Sequence, residues 1–411
     1  MGAKEKIDFL NNRAKMSLQN RCQYGPDIDL TSYIKFDERL KEVEDISLIP
    51  ENVIERVKSI GLDLGGTSKS SGYLQIDHDI LYKKKLYPNV EILSLNEALS
   101  DEHFVREYFW NLIDVGQDKF TAAAQLYGKG GYVIISKENS ITEIPVQTCL
   151  FIKSTDVFQA PHNVIVAEPN SVLHVVTGCA AMPETVGLHA GITEFYVKKN
   201  SVVTFTMIHD WSKATHVRPR TAAIVEDGGT FINNYINLNV SGLNSLQSYP
   251  TVYLKGEKSN TFMSSIIVGR SNSYIDLGSA VKITGKNSCA EIISRSVSTD
   301  SSKIVSRARI SSEAPGVKGH IECRGLILND GSGIWTVPEL DSTVKDVELT
   351  HEAAVGKLSE EVIFYLLTKG VGRDEAISML VRGFLEVKVP NLPTLLENQI
   401  KILMETGTKF L

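Results

Sequence analysis

The spacing of apolar positions changes three times along the chain. Residues 1–60 are polar and charged, and FDERLKEVED and ENVIERVKSIG place acidic and basic side chains three and four residues apart, as on solvated helix faces. Pro50 suits the start of the second helix and Gly61 its end. Residues 95–127 carry apolar side chains at helical spacing and predict two amphipathic helices, the first capped at Ser100 ahead of Asp101 and Glu102. From Gly130 the period becomes alternating. A short polar element followed by alternating apolar residues recurs at Ser140, Ser171, Ser201, Gly229, Ser259, Ser273, Ser288, Ser302 and Ser332. The numbers of successive copies differ by 31, 30, 28, 30, 14, 15, 14 and 30. After Lys357 the helical period resumes: Ser359 caps EEVIFYLLTKG, Gly370 stops it, a second helix closes before Pro390, and LPTLLENQIKILMETG forms a third.

Small polar residues make turns, and the alternating runs between them make strands with one face inward. Evenly spaced short strands occur in sandwiches, propellers and solenoids. A unit of this length favours a coil in which each turn buries its inward face against its neighbours. The fold class predicted is therefore mainly β, a parallel β-helix over residues 128–357. An N-terminal helical region with a short strand segment (1–127) and a C-terminal helical domain (358–411) cap its otherwise open ends.

Charge and composition remove several function classes. A net charge of −6 over 411 residues gives no basic surface for nucleic acid or anionic membrane. No run of eighteen apolar residues exists to span a membrane, and the charged N-terminus does not read as a signal peptide, so a cytoplasmic location is expected. Met1-Gly2 is a weak acylation cue, since Lys6 stands where Ser or Thr is required. The five cysteines (Cys22, Cys149, Cys179, Cys289 and Cys323) are odd in number and scattered, without a Cys-x-x-Cys pair. That excludes a disulfide framework and a four-thiolate cage, and suits a reducing compartment.

Candidate chemistry concentrates between Gly319 and Lys357. Cys323 precedes His351 by the same separation that lies between the turn elements at Ser201 and Gly229. In a coil of that length, thiol and imidazole would stack on successive turns and could share an iron or zinc ion. The alternative is a buried small hydrophobe and a turn residue. Glu352, the next residue, would face the opposite side of a regular strand. Cys179 follows Gly178 at a strand end, either as a thiol offered by a loop or as a turn after a buried strand. Cys149 and Cys289 sit in apolar alternation and read as core. His209-Asp210-Trp211 has no nucleophile beside it and reads as a strand end with a packed aromatic. Asp63-Leu64-Gly65-Gly66-Thr67 is similar to the phosphate loop of sugar kinases, but the strand-rich remainder lacks that fold's second half, so it reads as a glycine-rich turn.

GHIECRGLILNDGSGIWTVPELDS, followed by ELTHEAAVGKLSEEVIFYLLTKGVGRDEAISMLVRGFLEVKV, resembles the C-terminal part of the SufB/SufD family, scaffold components of the SUF iron–sulfur cluster assembly system. DKFTAAAQLYGKGGYVIISKENSITEIPVQ and HVVTGCAAMPETVGLHAGITEFYVKKNSVV carry the likeness upstream, so that it covers about 115–390. The resemblance implies a right-handed parallel β-helix and a scaffold rather than an enzyme. A SufC-type ABC ATPase would dock on the C-terminal helices, where Phe364, Tyr365, Ala376, Met379, Leu380, Gly383 and Phe384 match the family's segment. It further implies pairing with a second copy or a paralogous β-helix subunit, a cysteine desulfurase as sulfur donor, a transient iron–sulfur cluster, and a link to reduced flavin. Cys323, His351 and Glu352 match the cluster ligands of SufB-type members, and Cys179 matches the sulfur-accepting thiol. Two departures stand out: Thr350 replaces the carboxylate before the histidine, and the chain is short, as in SufD. A SufD-like adaptor without its own cluster site and a β-helix carbohydrate-active enzyme are the alternatives, the latter lacking grouped acids and a secretion signal.

Overall fold

The computed structural model describes residues 1–33, 43, 46–64, 70–239, 241–390 and 392–408. Most of FDERLKEVED, together with Gly65, Gly66 and Thr67, lies outside the described residues.

Two largely parallel sheets face each other, and among the described residues the first holds ten strands and the second thirteen. The chain winds between them for about eight turns, the solenoid that the alternating spacing predicts. Register fixes the pitch. Val202 lies beside Thr230, Thr230 beside Asn260, Asn260 beside Cys289, Cys289 beside Lys318, and Val317 beside Val347.

The recurrent serines mark the corners. Asn139, Asn170, Asn200, Gly228, Lys258 and Asn287 turn the chain at positive φ, a region that asparagine and glycine tolerate best. At four of these corners the following serine tucks its hydroxyl back onto the carbonyl three residues earlier, as Ser171 does to Glu168 and Ser201 to Lys198, both at 2.6 Å. Ser273 and Ser302 do the same at the opposite corner, reaching Arg270 at 2.6 Å and Thr299 at 2.8 Å. Two interleaved rows of corners thus explain why half-turn intervals appear among the full-turn ones. Earlier in the chain this second corner varies in length, as at 153–156 and 182–186, so the serine element does not recur there, and Pro161, Pro219 and Pro250 break the second-sheet segment beyond it into short strands. Proline cannot donate to the ladder.

Inward residues fill the space between the sheets. Phe205 and Phe231 both pack on Phe195, with ring centroids 4.8 Å apart in each case. The sheets begin well before residue 128. Gly72–Ile76 pairs in parallel with Val146–Ile152, and Asp79–Lys84 folds back antiparallel, closing that end.

Helices then cover the outer faces. Helix α1 (Ala3–Ser17), α2 (Glu51–Ser59), α3 (Leu95–Ala98), α4 (Glu102–Tyr108) and α5 (Lys119–Tyr127) precede the main coil, and α6 (Glu360–Thr368), α7 (Arg373–Leu385) and α8 (Thr394–Gly407) follow it. Three short helices replace the two expected over 95–127. The cap of α4 is Asp101 rather than Ser100, its carboxylate accepting from His103 N–H at 2.9 Å. Residues of α1, α4 and α5 bury against the second sheet, and those of α2, α7 and α8 against the first. At the far end, among the described residues, Val347–Lys357 is paired on one edge alone, with Val317–Ile327, and its side chains are exposed or half-buried.

Candidate functional site

The site is built by the last two strands of the first sheet. In Val317–Ile327 the alternation is strict at first: Val317, Gly319, Ile321 and Cys323 turn inward and are buried, while Lys318 and Arg324 turn outward and are exposed. The final strand follows in unbroken parallel register from Val347 to Lys357. Cys323 lies beside Ala353, and His351 lies beside Ile321. Thiol and imidazole therefore share the inward face of adjacent strands, two residues out of step, where diagonal Cα atoms are roughly 7–8 Å apart. The turn here is two residues longer than the one from Ser201 to Gly229, so Cys323 and His351 sit diagonally and not in the direct stack expected from that earlier coil. His351 is exposed because no further strand covers it, whereas Cys323 has no exposed surface.

Burial pushes the Cys323 thiol above its ordinary pKa, and the Ser306 hydroxyl and the Arg295 guanidinium pull partly back. Replacing the proton by a metal cation removes the cost of a bare thiolate in that setting.

Glu352 faces the other way. Arg324 donates to it at 3.2 Å and sits 2.5 Å from Glu322, which also pairs with Arg295 at 2.8 Å. The ladder has no bulge there to bring the carboxylate round to the inward face. Within one subunit the strand's period therefore turns Glu352 away from Cys323 and His351, as alternation leads one to expect. Thr350 is also outward and meets His320 Nδ1 at 2.8 Å. Among the described residues no group of three or more Cys, His, Asp or Glu side chains is placed to hold a metal ion.

Cys179 is in a different place. It lies inside the coil between Leu150 and His209, with no exposed surface, and burial pushes its pKa well up. Five strand steps separate it from the Cys323 strand in the first sheet. At about 4.8 Å per step that is roughly 24 Å. The fold does not bring the two thiols together. His209 is also interior, bonded to Tyr235 Oη at 2.8 Å, while Asp210 turns outward to Arg56 at 2.6 Å and Trp211 is fully buried. Cys149 is buried as expected, but Cys289 is exposed, on the outward face at the start of its strand.

Comparison with known proteins bears on this arrangement. The family model described as "SUF system FeS cluster assembly, SufBD core domain" matches residues 150–384, more than half of the chain. An "Iron-sulfur cluster assembly SufBD family protein" of Methanothermobacter thermautotrophicus is 40% identical over 405 residues, covering 97% of this chain and 98% of the relative. The protein of the same description from Archaeoglobus fulgidus is 43% identical over 355 residues, covering 86% and 95%. "Iron-sulfur cluster assembly protein SufB" of Bacillus subtilis is 27% identical over 386 residues, covering 90% and 82%. The chain belongs to the SufBD family.

In this SufBD chain the C-terminal helices expose several large apolar side chains within the family-matched segment. Ser359 caps α6 by accepting from Val362 N–H. Gly370, at φ +85°, ends it, with Val371 N–H returning to the Leu366 carbonyl. Phe364 is 68% and Tyr365 59% exposed, and Met379 and Gly383 are also open. Leu380 and Phe384 are half-buried, and Ala376 is fully buried, so Ala376 seats α7 and cannot itself touch a partner. No helix among the described residues is long and apolar enough to cross a membrane.

The SufBD resemblance also raised flavin. A cleft of about 1230 Å³ between the N-terminal helices and the closed end is lined by Phe109, Trp110 and His162. Phe109 stacks on His162 and Trp110 meets its edge, and all three are nearly buried, so no open aromatic face awaits an isoalloxazine. These residues fit a flavin poorly. Sequence reasoning missed Ala353 and the Arg295–Glu322–Arg324–Glu352 row. The Ser302-to-Ser332 interval was the available signal for Ala353, since it gives the local turn length.

Proposed function

We propose that this SufBD-family protein is a scaffold, not itself an enzyme, on which an iron–sulfur cluster is built at the bare end of the solenoid. The observation that carries this reading is the register that puts Cys323 and His351 on one face of the last two strands, at an end that no described strand covers. Thiolate and imidazole both suit iron, and iron and sulfide are the cargo. Two ligands from one chain leave positions for sulfide and for a second subunit, and an incomplete cage suits a cluster that must be handed on. A second copy, or a paralogous β-helix subunit, pairs through the free edge of the final strand. A SufC-type ABC ATPase docks on Phe364, Tyr365 and Met379 and supplies the ATP-driven motion. Sulfur from a cysteine desulfurase reaches Cys179 after the coil opens around it, since the thiol is enclosed.

Anaerobic reconstitution with ferrous iron and sulfide tests the reading. Cys323→Ala and His351→Ala are each expected to lose the visible cluster absorption while keeping the far-ultraviolet circular dichroism of the parent. Undiminished absorption in Cys323→Ala would sink it. One observation favours a SufD-like adaptor instead: Glu352 is turned away and held by Arg324. An adaptor would support cluster assembly in a complex with its ATPase and paralogue after loss of both Cys323 and Cys179.

A further inference from the structure

We propose that Arg56 is a positioning residue for sulfur acceptance: it staples two coils at the corner beside Cys179 and sets how readily that corner opens to the enclosed thiol. The inference deepens the reading of Cys179 as the sulfur acceptor and rests on it for its biological meaning.

Cys179 and Gly178 face opposite sides of the first sheet. Cys179 packs in the core between the sheets. A Cβ at Gly178 would meet Ile60 Cδ1 at 2.4 Å and Leu62 Cδ1 at 2.5 Å, so the segment after α2 lies directly on the outer face of Val172–Ala181. Two residues beyond Cys179 the strand ends, and residues 182–186 turn the corner toward the second sheet. The ladder with the next coil stops there, at the pair Ala180 and Asp210. Arg56 takes over at that point. Its Nε donates to the Ala181 carbonyl at 3.3 Å and its Nη2 to the Asp210 carbonyl at 3.2 Å, while Nη1 pairs with the Asp210 carboxylate at 2.6 Å. One guanidinium thus joins two successive coils at the rim of the corner. Its support is fixed, because Val53, Val57 and Ile60 are buried in the cluster beneath α2.

Beyond the rim the corner has neutral ties. Met182 N–H donates to the Ile152 carbonyl at 2.9 Å, Asp156 N–H to the Val186 carbonyl at 2.7 Å, and Ser212 Oγ to the Thr185 carbonyl. Pro183 and Glu184 at the tip are exposed. The corner is therefore a short flap next to the thiol, and Arg56 is the charged tie at its root, where each bond holds more strongly than a neutral one. Acceptance through the open flap exchanges groups without net oxidation. The Cys179 sulfur attacks the terminal sulfur of a donor persulfide, the donor S–S bond breaks, and the donor leaves as a thiol with the proton that Cys179 gives up.

The experiment labels the full chain with a maleimide under native conditions and reads each cysteine by mass spectrometry, in the parent, Arg56→Ala and Lys58→Ala. When closing outpaces labelling, the rate follows the population of the open form. Cys179 is expected to label about tenfold faster in Arg56→Ala, equal to about 1.4 kcal/mol of opening free energy. Lys58→Ala removes an exposed cation from the same helix and should leave the parent rate. Cys149 distinguishes a loosened corner from a displaced helix or a damaged fold, because it is buried on the outer face of the same sheet in one cluster with Val53 and Val57. Its rate should hold. An unchanged Cys179 rate in Arg56→Ala, a rise matched by Cys149, or an equal rise in Lys58→Ala overturns the proposal. Sulfur uptake at Cys179 from a cysteine desulfurase turning over cysteine, read by mass, separates the staple from the reading beneath it. Faster labelling with no sulfur gained on Cys179 keeps the staple and refutes the acceptor role.

Discussion

Acid should unfold this solenoid through histidines that it holds neutral. His189 and His209 lie inside the coil against Trp211, with ring centroids 4.9 and 5.3 Å away. Burial lowers His189 from 6.5 to about 3, and His209 well below 6.5. The unfolded chain therefore binds protons below pH 6.5 that the native chain refuses, and stability falls as pH falls through that window. At pH 4.5 an unfolded imidazole sits about two pH units below its pKa, which is about 3 kcal/mol for His189. That is a large share of a typical total stability of about 5–15 kcal/mol, and His209 acts in the same direction. His174 and His216, both lowered to about 4, act in the same direction. The assay is the urea midpoint by circular dichroism between pH 7.5 and 4.5, in the parent and in His189→Gln, which does not titrate. Losing the Trp211 contact lowers the midpoint of the variant at every pH. Its further decline on acidification should nevertheless be smaller by about 3 kcal/mol, that histidine's share. Equal declines in parent and variant would refute the argument that burial holds His189 neutral. Glu97, lowered from 4.5 to about 2, loses its stabilising contacts chiefly below this window and does not imitate the effect.

Two further outcomes follow from contacts described above. The Glu194 side chain is fully buried, accepts from the N–H groups of Trp110, Leu112 and Ile113, and pairs with His162 at 2.9 Å. Glu194→Ala should therefore cost about 3–5 kcal/mol and expose residues 105–120 to limited proteolysis, read by the urea midpoint and fragment masses. Phe364→Ala with Tyr365→Ala removes exposed rings, so the melting temperature should hold while co-purification of a SufC-type ATPase is lost; retained co-purification would move the docking surface elsewhere.

Much of the fold was legible because its corners repeat. The serine intervals located the turns, and the switch from helical to alternating period located the start of the main coil. Gly72–Ile76 is the short strand expected in the N-terminal region, but its place in the sheet was not legible, because a single short strand carries no repeat of its own and joins through a partner far along the chain, Val146–Ile152. The site was legible in identity but not in register. A lengthening of the coil by two residues is small beside the repeat, yet in a strand two residues are one full side-chain period. That drift exchanges Ala353 for His351 as the neighbour of Cys323 while keeping both on the same face. The outward turn of Glu352 was legible from alternation. Its hold on Arg324 was not, because that pairing depends on which residue of the previous coil lies alongside. Cys289 misled because the alternation around it fixes which side a residue faces without saying whether anything covers that side.

Each coil of such a stack touches its two neighbours and little else. The closing pair of strands can therefore be rewritten like an interchangeable end-piece. On the proposed reading, substitutions at 323 and 351 would convert a cluster-binding end into an inert one, or the reverse, while the coils behind kept their winding.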